Sequence, residues 1–285
     1  MPNNPLVIAA DIGGSHITAA LVNTRSWQVV LESIVRHDVD SRADAKSILS
    51  TLATPLQEII QHYPTLTKPN IGIAIPGPFD YEKGISHMHN QDKYDHLWGM
   101  NIRKELAKRT GVDGTDIRFI NDAAAFLQGE VFSGRHKNYK KVLGVTLGTG
   151  LGSAVWRQGS DAIDADLWKT PYCGGNMEEH LVTRWFVQKA ATHGIKVTGL
   201  RELLQFRNTH PKIEDILAEY SHHLLHFFRF FSEQEATNKF IVGGNIAKAW
   251  PIFHAFNSAA FDRFDIRISH LGEHAALIGA ATQFA

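Results

Sequence analysis

The stretch Leu6-Val7-Ile8-Ala9-Ala10-Asp11-Ile12-Gly13-Gly14-Ser15 decides how the chain is read. Leu6 to Ala10 is an unbroken apolar run, the pattern of a strand buried on both faces. It delivers Asp11 to a Gly-Gly turn. Ile17 to Val22 then resumes an extended pattern that ends at the polar Asn23-Thr24-Arg25-Ser26. The stretch is therefore a hairpin, not the strand-to-helix turn of a dinucleotide-binding fold. A Gly-Gly tip can bring main-chain N–H groups and the Ser15 hydroxyl close to phosphate oxygens. Asp11 beside it can hold a magnesium ion through water, because Mg²⁺ keeps several of its waters. Gly-Gly alone, however, more often marks an ordinary tight hairpin.

The pattern recurs. Lys140 to Val145 is strand-like and leads into Thr146-Leu147-Gly148-Thr149-Gly150-Leu151-Gly152-Ser153-Ala154, again a buried strand, a turn of Gly plus hydroxyl residue, and an apolar return. Such repetition is what an internally duplicated fold shows, and two such hairpins facing each other would clasp a triphosphate. Between them lies Ile120-Asn121-Asp122-Ala123-Ala124-Ala125, where the apolar run Ile117 to Ile120 opens an Ala-rich, helix-prone segment. A carboxylate at a strand end leading into a helix is rigidly held beside free N–H groups, which suits a catalytic base. By itself the tripeptide favours an N-cap, a position at which Asn and Asp are preferred; the flanking hairpins shift the balance.

Composition narrows the classes. A chain of 285 residues, 44% hydrophobic and 20% charged, has apolar material for two cores and exceeds the size at which one usually suffices. Lys plus Arg and Asp plus Glu both total 29, so there is no basic surplus of the kind that drives binding to nucleic acid or anionic membrane. Cys173 is the single cysteine, which rules out an intramolecular disulfide and any multi-cysteine metal site. No apolar run approaches the roughly 20 residues of a membrane span, and Met1 to Pro5 lacks the features of a secretory signal. A cytoplasmic protein is expected.

Along the chain, Val29 to Arg36 reads as a third strand and Ser41 to Tyr63 as an amphipathic helix with Ala45, Ile48, Leu49, Leu52, Leu56 and Ile59 on one face. Ile71 to Ile75 is another buried strand, ending in the stiff turn Pro76-Gly77-Pro78-Phe79-Asp80. The polar segment from Asp80 to Leu97, with His87, His89, Asn90 and Asp92, is a loop or short hairpin able to lie over a substrate. Its His-x-His pair lacks a third ligand at a defined spacing and reads as loop histidines rather than metal. Asn101 to Thr110 is a helix stopped by Gly111. Glu178 to Thr192 and Lys212 to Ser232 read as long helices. The second carries His222, His223 and His226 among Phe227, Phe228, Phe230 and Phe231, an aromatic cluster that needs burial in the core or against a second subunit. Lys239 to Val242 is a strand turned by Gly243-Gly244-Asn245-Ile246 into the helix Ala247 to Phe256, and a small-residue helix runs from His270 to Ala280.

Taken together, Asp11-Ile12-Gly13-Gly14-Ser15, Pro76-Gly77-Pro78, Asn121-Asp122-Ala123, Gly148-Thr149-Gly150-Leu151-Gly152 and Gly243-Gly244-Asn245 resemble, in order and spacing, the motifs of the ROK family of sugar kinases and sugar-responsive repressors. The resemblance implies an α/β, duplicated ribonuclease-H-like fold of the actin/hexokinase type, two-lobed, with ATP in the interdomain cleft and a sugar beside it. The lobes are expected at residues 1–120 and 121–285, with the last helix, about 272–285, packing back on the first. The resemblance further implies that Asp122 is the general base and that Asn121 with Pro76 and Gly77 contacts sugar. It assigns phosphates to Gly13, Gly14 and Ser15 and to Thr149 and Gly150, and the adenosine to Gly243, Gly244 and Asn245. The family's repressors carry an added N-terminal helix-turn-helix; this chain starts at the first strand, so the kinase branch is expected.

Departures from the pattern bear on substrate. Where the family carries Glu-x-Gly-His, a cysteine-rich zinc motif and a sugar-binding Glu, this chain reads from Asp164 to Glu179, with Asp166 at the Glu position and Lys169 at the His. Cys173 alone cannot make the zinc site, so structural zinc is not expected. Glu179 best fits the sugar-contacting Glu, with Glu178 next. Asp166 is shorter than Glu, and Lys only donates where a neutral His also accepts, so the hydroxyl pattern read should differ; Lys169 is as readily a solvated loop lysine. The expected reaction is phosphoryl transfer from ATP, with Mg²⁺, to a hydroxyl of a hexose or hexose derivative. Alternatives are a sugar sensor that has lost catalysis and an actin-like phosphatase or polyphosphate hydrolase. A homodimer through the aromatic helix is a further expectation.

Overall fold

The apolar run at the start of the chain forms strand β1 (Leu6–Ile12) in the computed structural model, which describes residues 5–90, 93–134 and 139–285. The chain divides into two compact units, Met1–Asn138 with Glu273–Ala285, and Tyr139–Gly272.

In the first unit β1 pairs antiparallel with β2 (His16–Asn23), Ile12 opposite Ile17, so Gly13, Gly14 and Ser15 are the hairpin tip. The single strand expected from Val29 to Arg36 is instead β3 (Gln28–Val29) and β4 (Val35–Asp38), divided by a helical turn at Leu31–Ser33. The cause is Ser33, whose buried hydroxyl accepts the Leu21 N–H (2.7 Å) and donates to the Val30 carbonyl (2.6 Å), replacing ladder bonds. Helix α1 (Ala45–His62) starts four residues after the expected Ser41 because the Asp44 side chain caps it, accepting from Ser47 N. Ile48, Leu49, Leu52, Leu56 and Ile59 make its buried face. Strand β5 (Ile71–Ile75) lies parallel to β1, followed by the small hairpin β6 (Phe79–Asp80) and β7 (Ile85–Ser86). Asp92 of the polar loop lies outside the described residues. Helix α2 (Ile102–Thr110) is capped by Asn101 and ended by Gly111. Strand β8 (Ile117–Asn121) lies parallel to β5, and its last residue caps helix α3 (Asp122–Phe132). The sheet order is β3-β2-β1-β5-β8, with β4 also on β2.

The second unit repeats this plan. Strands β9 (Lys141–Leu147) and β10 (Leu151–Arg157) form the second hairpin, Leu147 opposite Leu151, and β11 (Ile163–Asp164) extends it. The small hairpin β12 (Pro171–Tyr172) and β13 (Gly175–Asn176) follows. The one long helix expected from Glu178 to Thr192 is two, α4 (Met177–Leu181) and α5 (Thr183–Ala191), broken where Val182 turns extended. After α6 (Leu200–Leu203), helix α7 (Lys212–Glu235) crosses the unit. Strand β14 (Lys239–Gly243), helices α8 (Trp250–Phe256) and α9 (Ser258–Phe261) and strand β15 (Asp265–Ile268) complete it. The order β11-β10-β9-β14-β15 matches the first sheet: a hairpin flanked by two parallel strands. Phe227, Phe228 and Phe231 of α7 are fully buried in this unit's own core, with Phe228 4.7 Å from Phe240 between ring centres. The aromatic cluster is satisfied internally, so it gives no reason for a second subunit.

The last helix, α10 (His274–Ala281), belongs to the first unit and packs on α3. The division expected after residue 120 falls at residue 138, because α3 stays with the sheet it follows and with α10. The approach is close enough that a Cβ on Gly279 would run into the Ala125 carbonyl.

Candidate active site

In the first unit the site grows from strand ends. Asp11 occupies the penultimate position of β1 and Asp122 the first turn of α3. Asn121 is an N-cap in extended conformation: its Oδ1 accepts from Ala124 N (3.0 Å) and it is 6% exposed. The cap reading is thus realised, and capping fixes the residue beside it, Asp122. Asn121 Nδ2 donates to the Tyr81 hydroxyl (3.2 Å), which itself donates to the Ile75 carbonyl (3.3 Å), one residue before Pro76. One phenol therefore gathers the end of β5, the turn that opens with Pro76 and Gly77, and Asn121.

The carboxylates are electrostatically unusual. Burial raises the Asp122 pKa, against the opposing pull of the Lys93 charge and of its own hydrogen bond from Ala123 N (2.9 Å). Burial, then the charges of Asp122 and Glu273, push Asp11 up to about 7 against the pull of Arg36. Arg36 is held by Glu273 at 2.9 Å. A buried carboxyl pushed up by neighbouring negative charges, as Asp11 is by Asp122 and Glu273, fits a bound cation, whose charge would relieve the repulsion; a single carboxylate acting with waters and phosphates is the donor set that Mg²⁺ takes.

At the hairpin tip, Gly13 N donates to the His16 carbonyl (2.9 Å), leaving Gly14 and Ser15 exposed. The Gly13 carbonyl accepts from the hydroxyl of Tyr94 at 2.5 Å, and Tyr94 is fully buried.

The second unit has its own constellation. Thr149 is the exposed tip of the second hairpin, and the Gly148 carbonyl accepts both the N–H (2.8 Å) and the hydroxyl (2.9 Å) of Thr183. These two hydrogen bonds explain the helix break at Val182. Glu178 Oε2 accepts from Leu151 N (3.0 Å) and so braces the same turn. Glu179 instead engages Asn176, with its N–H to Oδ1 at 3.1 Å and Oε1 accepting from Nδ2 at 3.3 Å. Gly243 pairs across to Thr146, and Gly244, at φ +89°, lies against Leu147 where a Cβ would strike that residue's carbonyl. The 243–245 and 148–150 turns are thereby neighbours; Asn245 Oδ1 accepts from Lys248 Nζ (2.8 Å). Asp166 and Lys169 form an ion pair with each other and remain 45% and 61% exposed.

Tyr81, Lys93, Tyr94 and Thr183 escape a sequence reading, since single tyrosines, a lysine in a polar loop and a threonine inside an expected helix carry no motif. Among the described residues no three His, Cys, Asp or Glu side chains are grouped to hold a metal ion, and no helix is long and apolar enough to cross a membrane.

Comparison with known proteins agrees with this architecture. The chain is 28% identical over 166 residues to a glucokinase of Thermotoga maritima, covering 56% of this chain and 49% of that one. It is 29% identical over 146 residues to an N-acetyl-D-glucosamine kinase of Mannheimia succiniciproducens, covering 51% and 44%. The chain thus spans about half the length of the curated relatives it matches. The inorganic polyphosphate/ATP-glucomannokinase of Arthrobacter sp. strain KM superposes with a TM-score of 0.76 at 24% identity over 98% of both chains, a likeness that shows the actin-like, two-lobed α/β fold. Residues 7–163 match the ROK family, and the chain belongs to that family.

Proposed function

We propose that this chain is an ATP-dependent kinase acting on a hydroxyl of a hexose or hexose derivative, with Asp122 as general base. The observation that carries the reading is the position of Asp122. It is the first residue of α3, locked by the Asn121 cap, with a carboxyl whose pKa burial raises. A carboxylate of raised pKa is a stronger base and works nearer to neutral pH. Phosphoryl transfer asks the protein mainly for positioning and charge neutralisation. Asn121 and the turn at Pro76 and Gly77, joined through Tyr81, orient the sugar so that one hydroxyl meets Asp122, which accepts its proton. The Gly13 to Ser15 and Gly148 to Gly150 turns supply N–H and hydroxyl donors to the phosphates, and Gly243, Gly244 and Asn245 line the adenosine. Asp11 would hold Mg²⁺ through water, and the ion would supply charge neutralisation on the phosphates. Glu179, Asp166 and Lys169 are assigned to the sugar side. The kinase names of the relatives support the class without naming this chain's acceptor.

A sugar sensor without turnover is the second reading, suggested by Asp166 and Lys169 standing where the family carries Glu and His. A coupled ADP-release assay with Mg²⁺-ATP against hexoses, hexosamines and N-acyl hexosamines separates the two. Sugar-dependent ADP release is expected, and its absence with calorimetric sugar binding retained would establish the sensor.

A further inference from the structure

We propose that Tyr94 is a positioning residue for the first phosphate turn: by holding the Gly13 carbonyl, its hydroxyl aims the Gly14 N–H outward at a nucleotide phosphate. The peptide joining Gly13 and Gly14 is planar, and in a trans peptide C=O and N–H point in opposite directions. Anchoring one edge therefore orients the other. Tyr94 Oη lies 2.5 Å from the Gly13 oxygen. The ring is fully buried, and its own backbone is tied by Tyr94 N to the Ser41 carbonyl (2.8 Å) and by Leu97 N to the Tyr94 carbonyl (2.9 Å).

The second unit arrives independently at the same device. There the Gly148 carbonyl, at the corresponding position of the duplicated hairpin, is held by the N–H and hydroxyl of Thr183 at 2.8 and 2.9 Å, which leaves the Thr149 N–H on the opposite edge. Two unrelated side chains performing one task on equivalent carbonyls argue for a requirement of the turn. A Gly-rich turn is conformationally permissive, and an N–H that must meet an anion gains from being pre-oriented. The inference rests on the reading that these turns bind nucleotide phosphates.

The test is Tyr94→Phe in the full chain, titrated calorimetrically with Mg²⁺-AMPPNP and separately with D-glucose and N-acetyl-D-glucosamine. The dissociation constant for Mg²⁺-AMPPNP is expected to rise on the order of tenfold, the equivalent of about 1.4 kcal/mol and of one lost hydrogen bond, while sugar affinity is unchanged. A change below twofold for AMPPNP, or equal losses for nucleotide and sugar with a lowered Tm, would overturn the positioning role. Wild-type protein that binds no AMPPNP would instead overturn the phosphate-turn reading, and the proposal with it. A second readout needs no ligand: the ¹⁵N resonance of the Gly14 amide should move in Tyr94→Phe, and an unmoved resonance would show that the hydroxyl does not orient that peptide.

Discussion

Asp11 stands in the field of Asp122: burial, and after it the negative charge of Asp122, carries the Asp11 carboxyl from 3.8 up to about 7. A carboxyl with a raised folded-state pKa contributes stability that is fully present below the unfolded value and is lost as pH rises through about 7. Asp11→Asn is therefore expected to raise the Tm of the ligand-free protein more at pH 8 than at pH 4, by the equivalent of at most about 4 kcal/mol. Circular-dichroism melts at the two pH values check this, and an equal shift at both would contradict it.

Asp122→Asn keeps the shape of the side chain and removes the base. A positioned general base contributes roughly 10²- to 10⁴-fold, so kcat should fall by that factor while sugar affinity by calorimetry stays within about twofold. In the wild type the acidic limb of kcat should lie above the ordinary carboxylate range, because burial raises the Asp122 pKa. Retained turnover in the variant would remove Asp122 from the mechanism.

Gly279→Ala drives a methyl group into the Ala125 carbonyl, where neither helix backbone can yield cheaply. A cost of about 3 kcal/mol or more is expected, read as a lower urea midpoint. Gly14→Ala is the control: an added Cβ there meets nothing within 4 Å, and the midpoint should hold.

Lys169→Ala breaks an ion pair that is largely solvated, so Tm should not change. Its assignment to the sugar side predicts a higher KM for the acceptor at unchanged kcat. An unchanged KM would return Lys169 to the role of a surface lysine.

Most of the architecture was legible from sequence. The strand Ile71 to Ile75 stands where its apolar run places it, and Asn101 and Gly111 bound helix α2 as cap and stop. Expectations failed where a side chain competed with regular structure for backbone bonds. Ser33 divides the strand expected at Val29 to Arg36 by taking the Leu21 N–H, and Thr183 divides the helix expected at Glu178 to Thr192 by turning to Gly148. Both partners are distant in sequence, and no local pattern announces them. Glu178 and Glu179, adjacent and alike in sequence, are separated in role only by direction: one reaches Leu151, the other Asn176.

The sequence by itself determined the duplicated hairpins, the strand-to-helix placement of Asn121 and Asp122, and hence the family, because glycine turns, apolar runs and caps act over a few residues. Only the tertiary structure decided which groups stand behind those motifs. It set Tyr94 on Gly13, Thr183 on Gly148 and Tyr81 on Asn121, and it brought Asp11 into the field of Asp122. Those relationships depend on desolvation and on contacts between distant segments, and neither exists until the chain has folded.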